Sequence, residues 1–567
     1  MHVHLPCWSW LKGYNSNMWR NDVKAGLTVG IMLVPQGMAY ATIAGLPVVH
    51  GLYAALVPAI VYGIWGTSRH LSVGPVAMDS LLVAAGLAGL AATGSDPYIA
   101  LAILLALMVG LAQWTMGFLK LGFLVHFLSR PVISGFTSAA AVLIALHQLP
   151  PLLGMSNTNG LGLQHVVGIG MDMMPQVHGP TLALSGAALL TMVALKTWWP
   201  KAPGMLIVVG LGLFASWAMD FQAWGIRTLG AVPQGLPSFD VPSLDWEQLN
   251  LLWTTALTLA VIGFAEAMGV AKSIEERHAY ELDPDRELRA LGLANIAGSM
   301  FQSYPTTGGF SRSAVAEQAG GQTPVTSWIA AAVVGLALLF LTPVLSHLPL
   351  SVLGAMIVMA VFSLFDLAYP LKLWNRDRTE ALILGATFLA TLIWSLPLGI
   401  GAGVLLSFAL AVRRMMHPHV AVLGEVEGVY KNVARFEGAL THPDVLLVRY
   451  DGALNFANQD HFKSTMRQLV REKGEPLKLI VLQADAMPYI DATARGVVES
   501  LVKEWQEMGL SFCLSGAIGP VRDAMAADGL LEHPHVRVHL TIPQALEDFR
   551  HPGSVPPSLQ TMAKQHG

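Results

Sequence analysis

Charge is what this 567-residue sequence has least of: 12% of its residues are Asp, Glu, Lys or Arg, against 53% hydrophobic, far from the balance of a water-soluble globular chain. Three runs, 25–68, 318–365 and 381–412, hold no charged residue, and each exceeds the ~20 apolar residues that cross a bilayer core of ~30 Å. Water is excluded as the main solvent. The two cysteines, Cys7 and Cys513, are too few and too far apart for a disulfide scaffold or a thiolate metal site. A formal net charge of −4, with no basic stripe interleaved with aromatics, leaves nucleic acid no footprint. Walker-type loops, zinc spacings and nucleophile–base pairs are missing, so neither an ATP-driven pump nor an enzyme is indicated. The first 24 residues lack the clean apolar stretch of a cleavable leader, and the first hydrophobic helix is expected to direct insertion.

The charges that exist are unevenly placed. Residues 416–567 carry 14 of the 33 Lys and Arg and 18 of the 37 Asp and Glu, which marks the tail as a separate soluble domain. The expected division is a segment 1–23, a transmembrane domain 24–415, a soluble domain 416–552 and a tail 553–567. Apolar runs read against Gly, Pro and charge predict about fourteen membrane segments, near 24–45, 51–67, 74–92, 98–119, 124–148, 179–198, 203–219, 249–271, 286–301, 309–318, 325–346, 350–366, 380–396 and 398–415. Lys12, Arg20 and Lys24 precede the first span. Arg69, Lys120 with Arg130, Lys196 with Lys201, Lys272 with Arg277 and Arg286, and Lys372 with Arg376 and Arg378 then fall in every second loop, which places both termini in the cytoplasm. Past Arg413-Arg414 the pattern turns to short strands at 445–450, 479–482, 511–514 and 536–539 with helices between, a small α/β sheet domain.

Two of the membrane segments are broken, at Gly74-Pro75 and, about 235 residues on, at Gly308-Gly309. An inverted-repeat transporter predicts such a pair; Gly and Pro kinking two ordinary helices is the plainer alternative. A half-helix starting near Gly309 would aim its positive end and free N–H groups inward beside Arg312, a constellation that binds an anion. A second half-helix from Gly74-Pro75 would add another positive end, with Ser311 and Gln36 as side-chain donors. The competing reading makes Arg312 a structural partner of Glu266 or lets it reach water. Glu266, a lone carboxyl in the apolar run 257–271, is costly to keep ionised and is a candidate to carry a coupling proton, which would also remove its repulsion against an incoming anion. Orienting Arg312, or sitting at the cytoplasmic end beside Lys272, is its alternative role. Asp79 reads as structural, beside the Ser80 hydroxyl. In the tail, Asp491 is placed to cap a helix, and Thr493 is either a regulatory phosphorylation or contact site or simply part of that cap.

These blocks resemble the sulfate permease (SulP) family of anion transporters over nearly the whole chain. Val34-Pro-Gln36-Gly-Met-Ala-Tyr40-Ala with Gly45-Leu-Pro47 through Tyr53 resembles the family signature, as do Ser72-Val-Gly74-Pro75, Glu287-Leu-Arg-Ala-Leu-Gly292 through Asn295, and Pro305-Thr-Thr-Gly308 through Ser313. The C-terminal part is similar to a STAS domain, with Asp491-Ala-Thr493 in its Asp-x-Ser/Thr loop. The resemblance implies a seven-plus-seven inverted repeat in which a core domain moves against a gate domain. It implies an anion held by Gln36, Tyr40, Ala77, Phe310, Ser311 and Arg312, with Glu266 tied to proton coupling. It also implies an inner-membrane homodimer with cytoplasmic STAS domains open to further partners, and no cofactor beyond the coupling ion. Proton-coupled uptake of sulfate is the expected function; bicarbonate or dicarboxylate transport, or anion exchange, are alternatives within the family. A membrane-anchored STAS scaffold is the alternative of another class.

Overall fold

The computed structural model describes residues 13–554 other than 124–128, 156–176, 200–203, 222, 231, 276, 279, 363–367 and 395. Cys7, Lys12, Lys201, the first turn expected at 124–148 and the tail from 555 lie outside the described residues. The chain divides into two compact units, Met1–Ser407 and Phe408–Gly567.

In the first unit the helices are α1 (Ser16–Ile43), α2 (Val48–Ala54), α3 (Val57–Trp65), α4 (Ala77–Leu87), α5 (Asp96–Phe118), α6 (Arg130–His147), α7 (Leu149–Leu153), α8 (Gly179–Trp198), α9 (Gly204–Met219), α10 (Trp246–Glu275) and α11 (Pro284–Ser299). They continue as α12 (Phe310–Gln318), α13 (Val325–Leu336), α14 (Thr342–Leu345), α15 (Leu350–Phe362), α16 (Ala368–Arg376) and α17 (Arg378–Ile393), and α18 (Leu396–Met416) begins in this unit and ends past its boundary at Ser407. Helix occupies each of the fourteen expected segments. Among the described residues, eight stretches are long and apolar enough to cross a bilayer, while α4 and α12, at 11 and 9 residues, cannot cross alone. Helix α16 was not expected: its cations read as loop charges.

Small residues set the packing, since helices in lipid gain little from hydrophobic contact with one another and associate through close backbone approach. A Cβ at Gly292 on α11 would lie 2.7 Å from the Gly110 carbonyl oxygen on α5, so that pair of helices needs glycine on both faces. Two buried carboxylates fasten helix ends. Asp22 on α1 accepts from the Gln322 N–H (2.7 Å), the Thr323 N–H (3.2 Å) and hydroxyl (2.5 Å), the Thr326 hydroxyl (3.1 Å) and the Tyr14 hydroxyl (3.1 Å), tying α1 to the entry of α13. Glu287 on α11 accepts from the Tyr62 hydroxyl (2.6 Å), the Thr67 N–H and hydroxyl (both 2.5 Å) and the Ser68 N–H (2.9 Å), which fixes α11 against α3.

The second unit is a six-stranded sheet built from β3 (His419–Val426), β4 (Val429–Asn432), β5 (Val445–Asp451), β6 (Leu479–Gln483), β7 (Ser511–Ser515) and β8 (Val536–His539), in the order β4-β3-β5-β6-β7-β8. Strands β5 to β8 are parallel and β3 is antiparallel to both its neighbours. The helices are α19 (Gln459–Lys473), α20 (Ala492–Glu507), α21 (Gly519–Ala527) and α22 (Ile542–Arg550). Alternation along the strands splits the core into two layers. Leu446, Val448, Ile480 and Leu482 meet Phe462, Val498, Trp505 and Val521 of α19 to α21, and Val445, Leu447 and Val481 meet Ile542 and Leu546 of α22. Strands β5 to β8 stand where the sequence places them; the hairpin β3–β4 was not expected.

Candidate functional site

Both broken segments break where Gly and Pro predict. The short strands β1 (Val73–Gly74) and β2 (Thr307–Gly308) pair antiparallel, Val73 opposite Gly308 and Gly74 opposite Thr307. Helices α4 and α12 therefore leave the crossing in opposite directions with their N-termini at it. Neither N-terminus has a side-chain cap, at Val76 or at Gly309, so the first-turn N–H groups remain as donors and the two positive ends converge. The crossing is pinned by the Gly309 N–H donating to the Ser72 carbonyl (3.0 Å) and the Ser72 N–H donating to Ser313 Oγ (2.9 Å).

Arg312 lies inside this crossing, 1% exposed. Its Nη1 donates to the Pro75 carbonyl (2.6 Å) and Nη2 to the Ser72 carbonyl (3.4 Å), while Nε has no protein partner. The guanidinium thus bridges from α12 to the residues that launch α4. Glycine leaves room for it: a Cβ at Gly309 would come 2.6 Å from Arg312 Cζ, and the guanidinium would have to shift. Arg312 does not pair with Glu266 among the ion pairs of the described residues, and it faces neither lipid nor bulk water.

A cavity of about 620 Å³ opens beside the crossing, and its wall includes Gln36, Tyr40, Ala77, Glu266, Phe310, Ser311 and Arg312. All six residues expected around an anion and the one expected to carry a proton thus border a single space. Gln36 is buried; its Nε2 donates to Met205 Sδ at 3.7 Å and its Oε1 has no protein partner. Glu266 is half-buried, with Oε2 enclosed and unpartnered. Asp79 is buried with Oδ1 unpartnered; the hydroxyl expected beside it is engaged elsewhere, Ser80 Oγ donating to the Val76 carbonyl (2.7 Å) and meeting the Tyr304 hydroxyl (3.0 Å). The wall facing the crossing comes from α6, α8, α9 and α15, including Phe136, Met192, Lys196, Met205 and Met359. Sequence reading missed these, because an apolar residue in an apolar helix carries no sign of the space it borders; Lys196 read only as a loop cation.

In the second unit Asp491 caps α20, Oδ1 accepting from the Ala494 N–H (2.8 Å), and its Oδ2 also accepts from the Phe456 N–H (2.7 Å). Thr493 stands exposed in the first turn. Elsewhere in this unit the Arg449 side chain, at 2.7 Å, and His419 hold Asp451 below the usual carboxylate range, and burial pushes the Cys513 thiol up to about 12.

Comparison with known proteins agrees with both units. The sulfate permease family model matches residues 19–387 and the STAS domain model residues 439–545. The chain is 36% identical over 547 residues to a probable sulfate transporter (4.2) of Arabidopsis thaliana, spanning 93% of this chain and 80% of that one. It is 35% identical over 542 residues to a probable sulfate transporter of Mycobacterium tuberculosis, spanning 95% and 96%. Among solved structures it resembles the murine solute carrier 26 family member A9 anion transporter in the inward-facing state, with a TM-score of 0.85 at 25% identity over 94% of this chain and 92% of that one. It also shares the fold of the transmembrane domain of a cyanobacterial bicarbonate transporter, with a TM-score of 0.61 at 23% identity over 70% of this chain and 98% of that one. The chain belongs to the sulfate permease family of anion transporters and carries a C-terminal STAS domain.

Proposed function

We propose that the protein imports sulfate, or an oxyanion of similar shape, together with a proton, by alternating access around the crossing of α4 and α12. The observation that carries this reading is the convergence of two uncapped helix N-termini, Arg312 and Glu266 on one cavity. Donors there are preorganised for an anion: the N–H groups at Ala77, Phe310 and Ser311, the Ser311 hydroxyl and the Gln36 amide, in the field of the Arg312 guanidinium. Arg312 holds the two helix ends together through the Pro75 and Ser72 carbonyls, so it supplies positive potential and positions the donors in one arrangement. Glu266 borders the same space without an ion pair. Protonated, it adds no negative charge to the anion's surroundings; deprotonated, it repels the anion, which couples loading of the two.

The cavity wall also supports the direction in which it opens. Ile133 beside Arg130, Lys196, Gly204 and Val270 beside Lys272 all lie at helix ends that the loop cations assign to the cytoplasm, so this is an inward-open arrangement. The curated relatives' names support sulfate as the cargo. An inner-membrane homodimer with both termini and the STAS domain in the cytoplasm belongs to the same reading, with the exposed Thr493 as a phosphate acceptor at a helix N-terminus that would favour the added charge.

Purified protein in liposomes, loaded with a pH gradient and supplied with labelled sulfate, tests the reading. Acid-outside gradients are expected to drive saturable uptake, Glu266→Gln to uncouple uptake from the gradient, and Arg312→Ala to abolish it. Uptake indifferent to the gradient and to both substitutions would overturn it.

A further inference from the structure

Helix α16 has chemistry that transport around the cavity does not use. It is 9 residues long, about 13.5 Å at the helical rise, too short to cross a bilayer. Its Leu373 is buried, but Leu371 and Trp374, one turn apart, are 70% and 52% exposed. The opposite face carries Tyr369, Lys372 and Arg376 at i, i+3 and i+7, with both cations exposed. Arg130, from the first turn of α6, lies over the Tyr369 ring with Cζ 4.5 Å from its centroid, which brings a third cation to that face. Lys372 and Arg376 form no ion pair among the described residues. The adjacent Asp377 is engaged as a cap, Oδ1 accepting from the Thr379 and Glu380 N–H groups at 2.9 and 3.2 Å.

A short helix with an exposed Trp and Leu on one face and uncompensated cations on the opposite one is built to lie in a headgroup layer. The alternation of loop cations puts α16 on the cytoplasmic side, where membrane surfaces are negative. We propose that α16 binds an anionic phospholipid, seating Leu371 and Trp374 at the acyl boundary and gripping the headgroup phosphodiester with Arg130, Lys372 and Arg376. Helix α16 packs on α17, and α17 packs on α6, which carries Val132, Ile133 and Phe136 of the cavity wall. The bound lipid therefore holds that wall to the leaflet while the crossing moves against it.

The test titrates phosphatidylglycerol or phosphatidylcholine into the detergent-solubilised full-length protein and counts retained lipid by native mass spectrometry. The wild type is expected to prefer phosphatidylglycerol at low salt and to lose most of that preference at about 0.5 M salt, where the screening length falls to a few ångströms. Lys372→Gln with Arg376→Gln is expected to lower the preference about 25-fold, about fivefold for each cation removed from a charged surface. Trp374→Ala is expected to weaken retention of both lipids alike. Size-exclusion profile and unfolding midpoint establish that the variants are folded. A folded double variant with undiminished preference, or a wild-type preference indifferent to salt, overturns the proposal. So does a double variant that loses self-association with lipid retention unchanged, since a second copy would then be what covers the face.

Discussion

The membrane unit buries carboxylates in two ways. At the helix ends, Asp22 accepts five hydrogen bonds and Glu287 four, so the charge of each is met by N–H and O–H donors, all but that of Tyr14 remote in sequence. Around the crossing, Glu266 Oε2, Asp79 Oδ1, Gln36 Oε1 and Arg312 Nε are enclosed without a protein partner. A buried polar atom left short is costly, and a fold that saturates one set while starving the other has a use for the second. Saturated groups hold the two halves of the membrane unit together; of the short-handed ones, Gln36, Glu266 and Arg312 border the space an anion enters.

The largest expected effect is at the saturated sites. Glu287→Ala strands the Tyr62 hydroxyl and the donors at Thr67 and Ser68, and Asp22→Ala strands those around Thr323; each is expected to destabilise the detergent-solubilised protein by about 3–5 kcal/mol, read as an early unfolding midpoint. Similar stability in either variant would break the contrast. Next comes Gly309→Ala. Its Cβ would displace the Arg312 guanidinium, so sulfate uptake is expected to fall at least about tenfold, a loss of about 1.4 kcal/mol or more of productive binding, with a smaller change in midpoint. Uptake at the wild-type rate would show that the position of Arg312 does not matter.

Two smaller effects fall in the STAS unit, on a partly buried carboxylate and on a buried thiol. Asp451 is held below its ordinary range by Arg449 and His419; a depressed carboxylate adds stability above its unfolded pKa that is lost as pH falls through the folded one. The gain is expected to stay under about 1 kcal/mol because the pair is only partly buried and water still screens it. Asp451→Asn should therefore lower the STAS unfolding midpoint slightly at neutral pH, with the difference from wild type vanishing in acid. Cys513, buried with its thiol pushed up to about 12, is expected to resist maleimide in a Cys7→Ser background until the unit unfolds; prompt labelling of the folded protein would contradict its placement.

Much of this arrangement was legible in the residues because backbone requirements leave marks. Gly74-Pro75 and Gly308-Gly309 announce two chain breaks, charge-free runs announce spans, and Asp491 announces a cap. What stayed hidden depends on distant partners. Nothing about Met192, Met205 or Met359 distinguishes a cavity wall from any apolar helix face, and Asp22 looks like an ordinary interfacial acid until Thr323, about 300 residues on, closes over it. Two misses had local signals. The alternation of Ala421 and Leu423 against Val420 and Val422, followed by the turn at Glu427-Gly428 where both φ are positive, spells a hairpin. Tyr369, Lys372 and Arg376 repeat at helical spacing, but Pro370 and the shortness of α16 concealed it.

Unfolding midpoint and gradient-driven sulfate uptake, measured on the same preparations of Glu266→Gln and Glu287→Gln, test the division between saturated and short-handed carboxylates most directly. The predicted result is a double dissociation: Glu266→Gln keeps the wild-type midpoint and loses the response of uptake to the proton gradient, whereas Glu287→Gln unfolds early. A Glu266→Gln protein that unfolds as early as Glu287→Gln, or one whose uptake still follows the gradient, would contradict it.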